Sequence, residues 1–276
     1  MRICLLTPAP DHPLLAATTA LLKPRHQVEW LDPGATDSFP DPDGLADVYL
    51  LKTRTPRALA LARFLEQHGA PVLNSAASTG LCQDRTLMAQ VALRAGLPFV
   101  ATRTEPSLRR FEAAGELAGP VVVKSRTSRR HDLVARVDDA TRLRELAERW
   151  ADEPVVIQPF TPNSGWDHKL WVVGDQVFAG LRRSELAAGG TDKRTRPLAP
   201  DALPAGWPAL ALRVGEVFAL DVYGVDLLDA GGGTPVIVDI NAFPGIRGQA
   251  GAPEALAALA LRTAAGSRPP RVAVGP

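Results

Sequence analysis

Two aspartates and an asparagine late in the sequence carry its strongest chemical signal. In the run PVIVDIN, the alternation of a β-strand turns Ile237, Asp239 and Asn241 to one face and Val236, Val238 and Ile240 to the other. An acid and an amide thus project together from an otherwise apolar segment. Asp226, in GVDLL, falls on what reads as the partner strand of the same hairpin and can face them across it. Carboxylates buried close together need a neutralising cation. Two aspartate oxygens and an amide carbonyl are hard ligands suited to Mg²⁺, which completes its shell with water and phosphate. Singly, the three residues are ordinary strand-end and turn residues, so the metal reading rests on their joint placement.

Lys124 closes the run VVVK. A lysine ending a buried strand carries a compact charge on a flexible stem, which suits a nucleotide phosphate, although many such lysines simply reach into water. The polar joint SRTSRRHD (125–132) follows, and further on come Lys169, Arg182, Arg183, Lys193, Arg194, Arg196 and Arg247. If these cations converge on one cleft, they favour a polyanion or carboxylate through charge-assisted hydrogen bonds. Lys169 and Arg182 stand apart from the rest because both fall on predicted strands of one hairpin. His131, in a turn beside arginines, reads either as a substrate contact or acid–base group or as a surface residue.

The elements that must position these residues form two patterns. Residues 2–7, 28–31, 47–51 and 71–73 are short β-prone runs, with helix-like spacing over 14–22 and 56–68 between them, which predicts a small parallel α/β unit. Asp84 then stands as N-cap of a helix closed by Gly96, and a boundary is placed near residue 80. Beyond it the chain becomes strand-rich. Runs at 121–124, 133–137 and 154–160 surround a helix at 141–150. A hairpin turns at Gly174-Asp175, a helix spans about 208–220, and the second hairpin precedes an Ala/Leu helix with Pro253 in its first turn.

Composition bounds the rest. The 276 residues carry 31 Lys+Arg against 30 Asp+Glu and are 46% hydrophobic, which excludes a disordered tail, a coiled coil or a polybasic nucleic-acid binder. At 5% aromatic content, base stacking has little support. Cys4 and Cys82 lack the spacing of a zinc site or disulfide framework and read as reduced core thiols. The opening residues read as a first strand and not as a signal peptide, and no run approaches a membrane span, so the expectation is a cytoplasmic protein. Catalytic serine, zinc-protease, Walker and dinucleotide fingerprints are missing, which argues against covalent hydrolysis and dinucleotide redox.

Taken together, Asp84-Arg85 with Met88 opening a helix, VVVK, VVIQPF, HKLWVVGD, GVDLL and VIVDINAFPG resemble the ATP-grasp superfamily, over roughly residues 74–250. The resemblance implies an α/β fold in which an amino-terminal parallel domain (1–79) precedes two antiparallel-sheet subdomains clasping ATP, at 80–157 and 158–265, with 266–276 a flexible tail. It implies ATP and Mg²⁺ as cofactors, with the metal on Asp226, Asp239 and Asn241. Lys124 and Arg85 would lie near the phosphates, and Gln158 to Phe160 would form a hinge beside adenine. Lys169 and Arg182 would lie near the transferred phosphoryl group or the acceptor, and Arg247 near the acceptor.

Two branches compete. One is the RimK-like carboxylate–amine ligases, and the other the inositol 1,3,4-trisphosphate 5/6-kinase type. The segment SRTSRRHDL lacks the glycines usual in the phosphate-covering loop, which points to arginine side chains such as Arg130 closing over the triphosphate. His131 matches a kinase-branch substrate histidine, and Asp239 stands where the ligases commonly carry Glu. The ligase is favoured because the amino-terminal segment shows no dense positive field for a highly phosphorylated substrate. A nucleotide-binding protein without catalysis is the third reading. The partners implied are a small anionic acceptor, either a carboxylate or a phosphorylated polyol, and an amine. Neither nucleic acid nor membrane is expected, and a homo-oligomer is left open.

Overall fold

The computed structural model describes residues 1–35, 38–184, 186 and 195–272; Lys193 and Arg194 lie outside the described residues. The chain opens with β1 (Arg2–Leu6), α1 (Pro13–Leu22), β2 (Gln27–Leu31), β3 (Val48–Leu51), α2 (Pro56–Gln67) and β4 (Val72–Leu73). Their strands form a parallel sheet in the order β2-β1-β3-β4. Alternation along β1 sends Ile3 and Leu5 to one core and Cys4 and Leu6 to another, so both faces of the sheet are covered. Cys4 and Cys82 are free and buried, and burial pushes both thiols up to about 12.

Two helices, α3 (Ala76–Leu81) and α4 (Arg85–Arg94), lead into a second sheet. The side chain of Asp84 accepts from the amides of Thr86 and Leu87, so the sequence-predicted cap sets the start of α4. The second sheet comprises β5 (Arg103–Glu105), β6 (Val121–Ser125), β7 (Val134–Val137) and β8 (Val155–Pro159), in the order β5-β8-β6-β7 and antiparallel throughout. It packs on α5 (Leu108–Ala114) and α6 (Ala140–Trp150) through Phe111, Val123, Leu143 and Ile157.

The third sheet contains β9 (Trp166–Val173), β10 (Gln176–Arg183), β11 (Thr195–Leu198), β12 (Val222–Asp229) and β13 (Pro235–Ala242), in the antiparallel order β11-β10-β9-β12-β13. Its core is closed by α4 and by α7 (Trp207–Phe218). Gly215 makes that packing close, because a Cβ there would lie 2.2 Å from the hydroxyl of Tyr223, which donates to the carbonyl of Ala211.

The last helix, α8 (Ala252–Ala264), returns to the first sheet, where Leu256 and Leu259 pack in one core with Ile3, Leu5, Leu14 and Leu50. Asn74 joins the first and third sheets. Its Oδ1 accepts from the amides of Asp221 and Val222, and its Nδ2 donates to the carbonyl of Val222 at 2.6 Å. Of the segment expected as a flexible tail, 266–276, the last four residues lie outside the described residues; within the rest the amide of Arg271 donates to Asp221 at 2.9 Å and Arg268 is ion-paired with Asp175. No helix among the described residues is long and apolar enough to cross a membrane.

Candidate active site

The second and third sheets face one another across a cleft. From the second come Val122, Lys124, Val134, Gln158 and Phe160, and from the third Asp167, Lys169, Arg182, Asp226, Val238 and Asp239, while Arg85 enters from the start of α4. Lining residues thus include four cations, Arg85, Lys124, Lys169 and Arg182, against three carboxylates, Asp167, Asp226 and Asp239.

Register explains the carboxylates. Asp226 pairs directly with Asp239, and Lys169 lies beside Asp226 on the other neighbouring strand. After that pair the register shifts, with Leu227 opposite Ile237, so Val238 is an extra residue in β13. This bulge corrects the sequence reading, in which Ile237 shares a face with Asp239. Instead Ile237 and Ile240 are both fully buried in the core, and Val238 and Asp239 both line the cleft. Asn241 lies beyond Ile240 and lines a separate cavity, so it is not gathered with the two aspartates in the cleft itself.

The carboxylates of the cleft have cationic partners. Lys169 Nζ donates to Asp226, and Arg85 Nη2 stands 3.8 Å from Asp239. Arg85 is itself fixed, donating through Nη1 to the carbonyl of Ser125 at 2.8 Å and to Asp132 at 2.6 Å, while its buried Nε has no hydrogen-bond partner among the described residues. Arg182 Nη2 is 4.0 Å from Asp167. Burial pushes the Asp167 carboxyl up from its ordinary value. Lys124 crosses the cleft and donates to the carbonyl of Val238 at 2.8 Å, and burial brings its ammonium down to about 8 against the attraction of Asp239.

Asp226 and Asp239, adjacent, half-buried and hard, fit a divalent cation by donor chemistry. Among the described residues no group of three or more His, Cys, Asp or Glu gathers, so further donors would come from Asn241, water or phosphate.

Gln158 Nε2 is held by Thr102 Oγ1 at 3.0 Å, and Phe160 carries the Arg136 guanidinium 3.9 Å from its ring centroid. Arg130, His131 and Arg247 are exposed and do not line the cleft. In the glycine-free joint, Arg126 is paired with Asp84 and Arg129 with Glu153, so two of its arginines are turned away from the cleft. Asp132 and Asp167 escaped the sequence reading. Asp167 was accessible, since it stands two residues before Lys169 and directly opposite Arg182. Asp132 was not, because its role depends on the path of the joint. His168, between Asp167 and Lys169, points the other way and packs edge-on against Trp207.

Two antiparallel sheets closing on a cation-rich cleft, behind a parallel α/β unit, define an ATP-grasp fold. Residues 83–253 match the RimK-like ATP-grasp domain, and the chain belongs to that family. It is 28% identical over 207 residues to a probable alpha-L-glutamate ligase of Cellvibrio japonicus, covering 70% of this chain and 66% of that one. It is also 27% identical to the ribosomal protein bS6–L-glutamate ligase of Escherichia coli, over 68% of this chain and 65% of that protein. With N-acetylaspartylglutamate synthase A of Homo sapiens it shares 27% identity, over 78% and 57% of the two chains. The matched region thus spans somewhat under two thirds of each relative. A RimK domain ATP-grasp protein from Sphaerobacter thermophilus superposes with a TM-score of 0.74 at 25% identity, over 94% of this chain and 99% of the other. None of these supports the inositol phosphate kinase branch.

Proposed function

We propose that the protein is an ATP- and Mg²⁺-dependent carboxylate–amine ligase. The reading is carried by one observation: the paired carboxylates Asp226 and Asp239 stand with Lys124, Lys169 and Arg85 in a single cleft between the two antiparallel sheets. Membership of a family whose relatives are named as ligases supports it.

The cleft, about 200 Å³, is smaller than the roughly 300–1,000 Å³ of most ligand sites, and Lys124 spans it. Nucleotide entry would draw Lys124 from the Val238 carbonyl onto phosphate oxygens. Val122, Gln158 and Phe160 would take the base end. Asp226 and Asp239, with Asn241 at their edge, would hold Mg²⁺, which when bound neutralises phosphate charge. Lys169 and Arg182, exchanging their aspartate partners for substrate oxygens, would offset the charge of the γ-phosphoryl group as it passes in line to a carboxylate. The carboxylate oxygen forms the new bond to phosphorus and ADP leaves. An amine then attacks the acyl carbon, phosphate departs, and the amine loses a proton to give the amide. The names of three relatives make L-glutamate the first amine to try.

The test is incubation with ATP, Mg²⁺, candidate carboxylic acids and hydroxylamine. Hydroxamate formation is expected. Phosphate transfer to inositol phosphates without hydroxamate would overturn the reading, and nucleotide binding with no product would identify a non-catalytic binder.

A further inference from the structure

A second cavity, about 300 Å³, lies at the end of β13, two residues beyond Asp239 of the cleft, and is walled by Lys52, Thr53, Arg54, Thr79, Asn241 and Gly245. Lys52 is the first residue beyond β3, and its amide is fixed to the carbonyl of Leu6 at 3.0 Å. The cavity therefore opens at the carboxyl ends of parallel strands, where open α/β sheets form ligand crevices. The sequence reading found no strong positive field in this amino-terminal segment. Folding makes one by bringing Arg247 and His12 toward Lys52 and Arg54.

The charges here are not compensated as those of the cleft are. Those acting on Lys52 belong to Arg54 and Arg247, both positive, and together with burial they push its ammonium down to about 8. Lys52 and Arg247, after burial, push the imidazole of His12 down against the pull of Asp11. Lys52 makes no ion pair among the described residues; its ammonium stands 5.8 Å from the Phe243 ring centroid. Thr79, only 2% exposed, lines the cavity with a hydroxyl that has no hydrogen-bond partner among the described residues, and Nδ1 of His12 is likewise unpartnered. A buried donor and half-buried cations without acceptors are costly, and an anion relieves both.

We propose that this cavity is a carboxylate-binding subsite, with Lys52, Arg54 and Thr79 as its donors and Arg247 and His12 at its rim. The anion site stands on its own geometry. Its assignment to a substrate of the ligase rests on the function proposed above, and two sources share the chemistry: a carboxylate of the acceptor, or the carboxylate of an amino-acid amine. Asn241, in the wall of the cavity, stands two residues beyond Asp239 of the cleft, so a molecule anchored by Lys52 would extend toward the transferred group.

Footprinting of the intact protein with a small neutral acylating reagent, read by mass spectrometry, tests the site without turnover. Lys52 is expected to lose several-fold in labelling rate with L-glutamate or N-acetyl-L-glutamate present, and Lys124 with an unhydrolysable ATP analogue and Mg²⁺. Protection of Lys52 by N-acetyl-L-glutamate assigns the acceptor, and protection by L-glutamate alone assigns the amine. Unchanged Lys52 labelling with both acids and with succinate, or protection by nucleotide alone, overturns the proposal.

In turnover, Lys52→Gln and Arg54→Gln should raise KM for one carboxylate substrate about tenfold to a hundredfold with KM for ATP unchanged, and Lys52→Arg should restore most of it. Equal loss in both KM values would mark a structural role and count against the subsite. Should wild-type protein form no hydroxamate at all, the ligase reading fails while the footprint still decides the anion site.

Discussion

The cleft has buried cations in Arg85, Lys124 and Lys169, the cavity beside it half-buried ones in Lys52 and Arg54, and the two handle charge in opposite ways. In the cleft Lys169 has Asp226, Arg182 has Asp167, and Arg85 has Asp132 and Asp239. In the cavity Lys52 meets only further positive charge. A compensated site holds its side chains in place and exchanges partners when a substrate arrives. An uncompensated one keeps its donors unused and lowers the stability of the empty protein.

The largest expected effect comes from breaking the compensated side. Asp239→Asn or Asp226→Ala should lower kcat by about a hundredfold to a thousandfold or more, as expected when preorganised charge at a transferring phosphoryl group is lost. Circular dichroism should show the fold retained, and near-wild-type turnover in both variants would remove the cleft as the reaction site. Lys124→Met comes next: losing the group that spans the cleft should weaken nucleotide binding about tenfold to a hundredfold, measured by calorimetry.

The uncompensated side predicts a gain. Lys52 in the folded chain sits at about 8 against an ordinary 10.5. The unfolded chain therefore holds more proton between those values, so stability climbs with pH across that window, and below it the cost is present in full. Lys52→Met should raise the melting temperature by a few degrees at pH 7 and flatten the climb. A pH–stability curve parallel to wild type would show that Lys52 is not under strain from Arg54, Arg247 and burial. Smallest of all, Arg130→Ala should raise KM for ATP a few-fold at most, since Arg130 is exposed outside the cleft; a tenfold rise would show that the glycine-free joint closes over the nucleotide.

Where function was written in local spacing, the sequence made it readable. The two hairpins, the Asp84 cap, the strand-ending Lys124 and the facing of Asp226 with Asp239 all follow from period and turn chemistry. The bulge at Val238 did not, because one inserted residue leaves the apolar pattern of VIVDI unchanged while turning Ile237 into the core beside Ile240 and Val238 toward the cleft. Lys52, Arg54 and His12 were hidden for a different reason: with Arg247, which the resemblance had put near the acceptor, they come from three separated segments and gather only when β1, β3 and the loop after β13 are assembled. Short elements such as α3 and β5 gave too few residues to show a period.

The return of α8 to the first sheet also bears on synthesis. Thr18 of α1 lies in hydrogen-bond range of the carbonyl of Pro253, 235 residues onward, and Leu256 and Leu259 cover Ile3 and Leu5. While the chain is still emerging from the ribosome, β1 therefore has one greasy flank without its lid, and only the arrival of α8, made much later, removes that invitation to stick to other nascent chains.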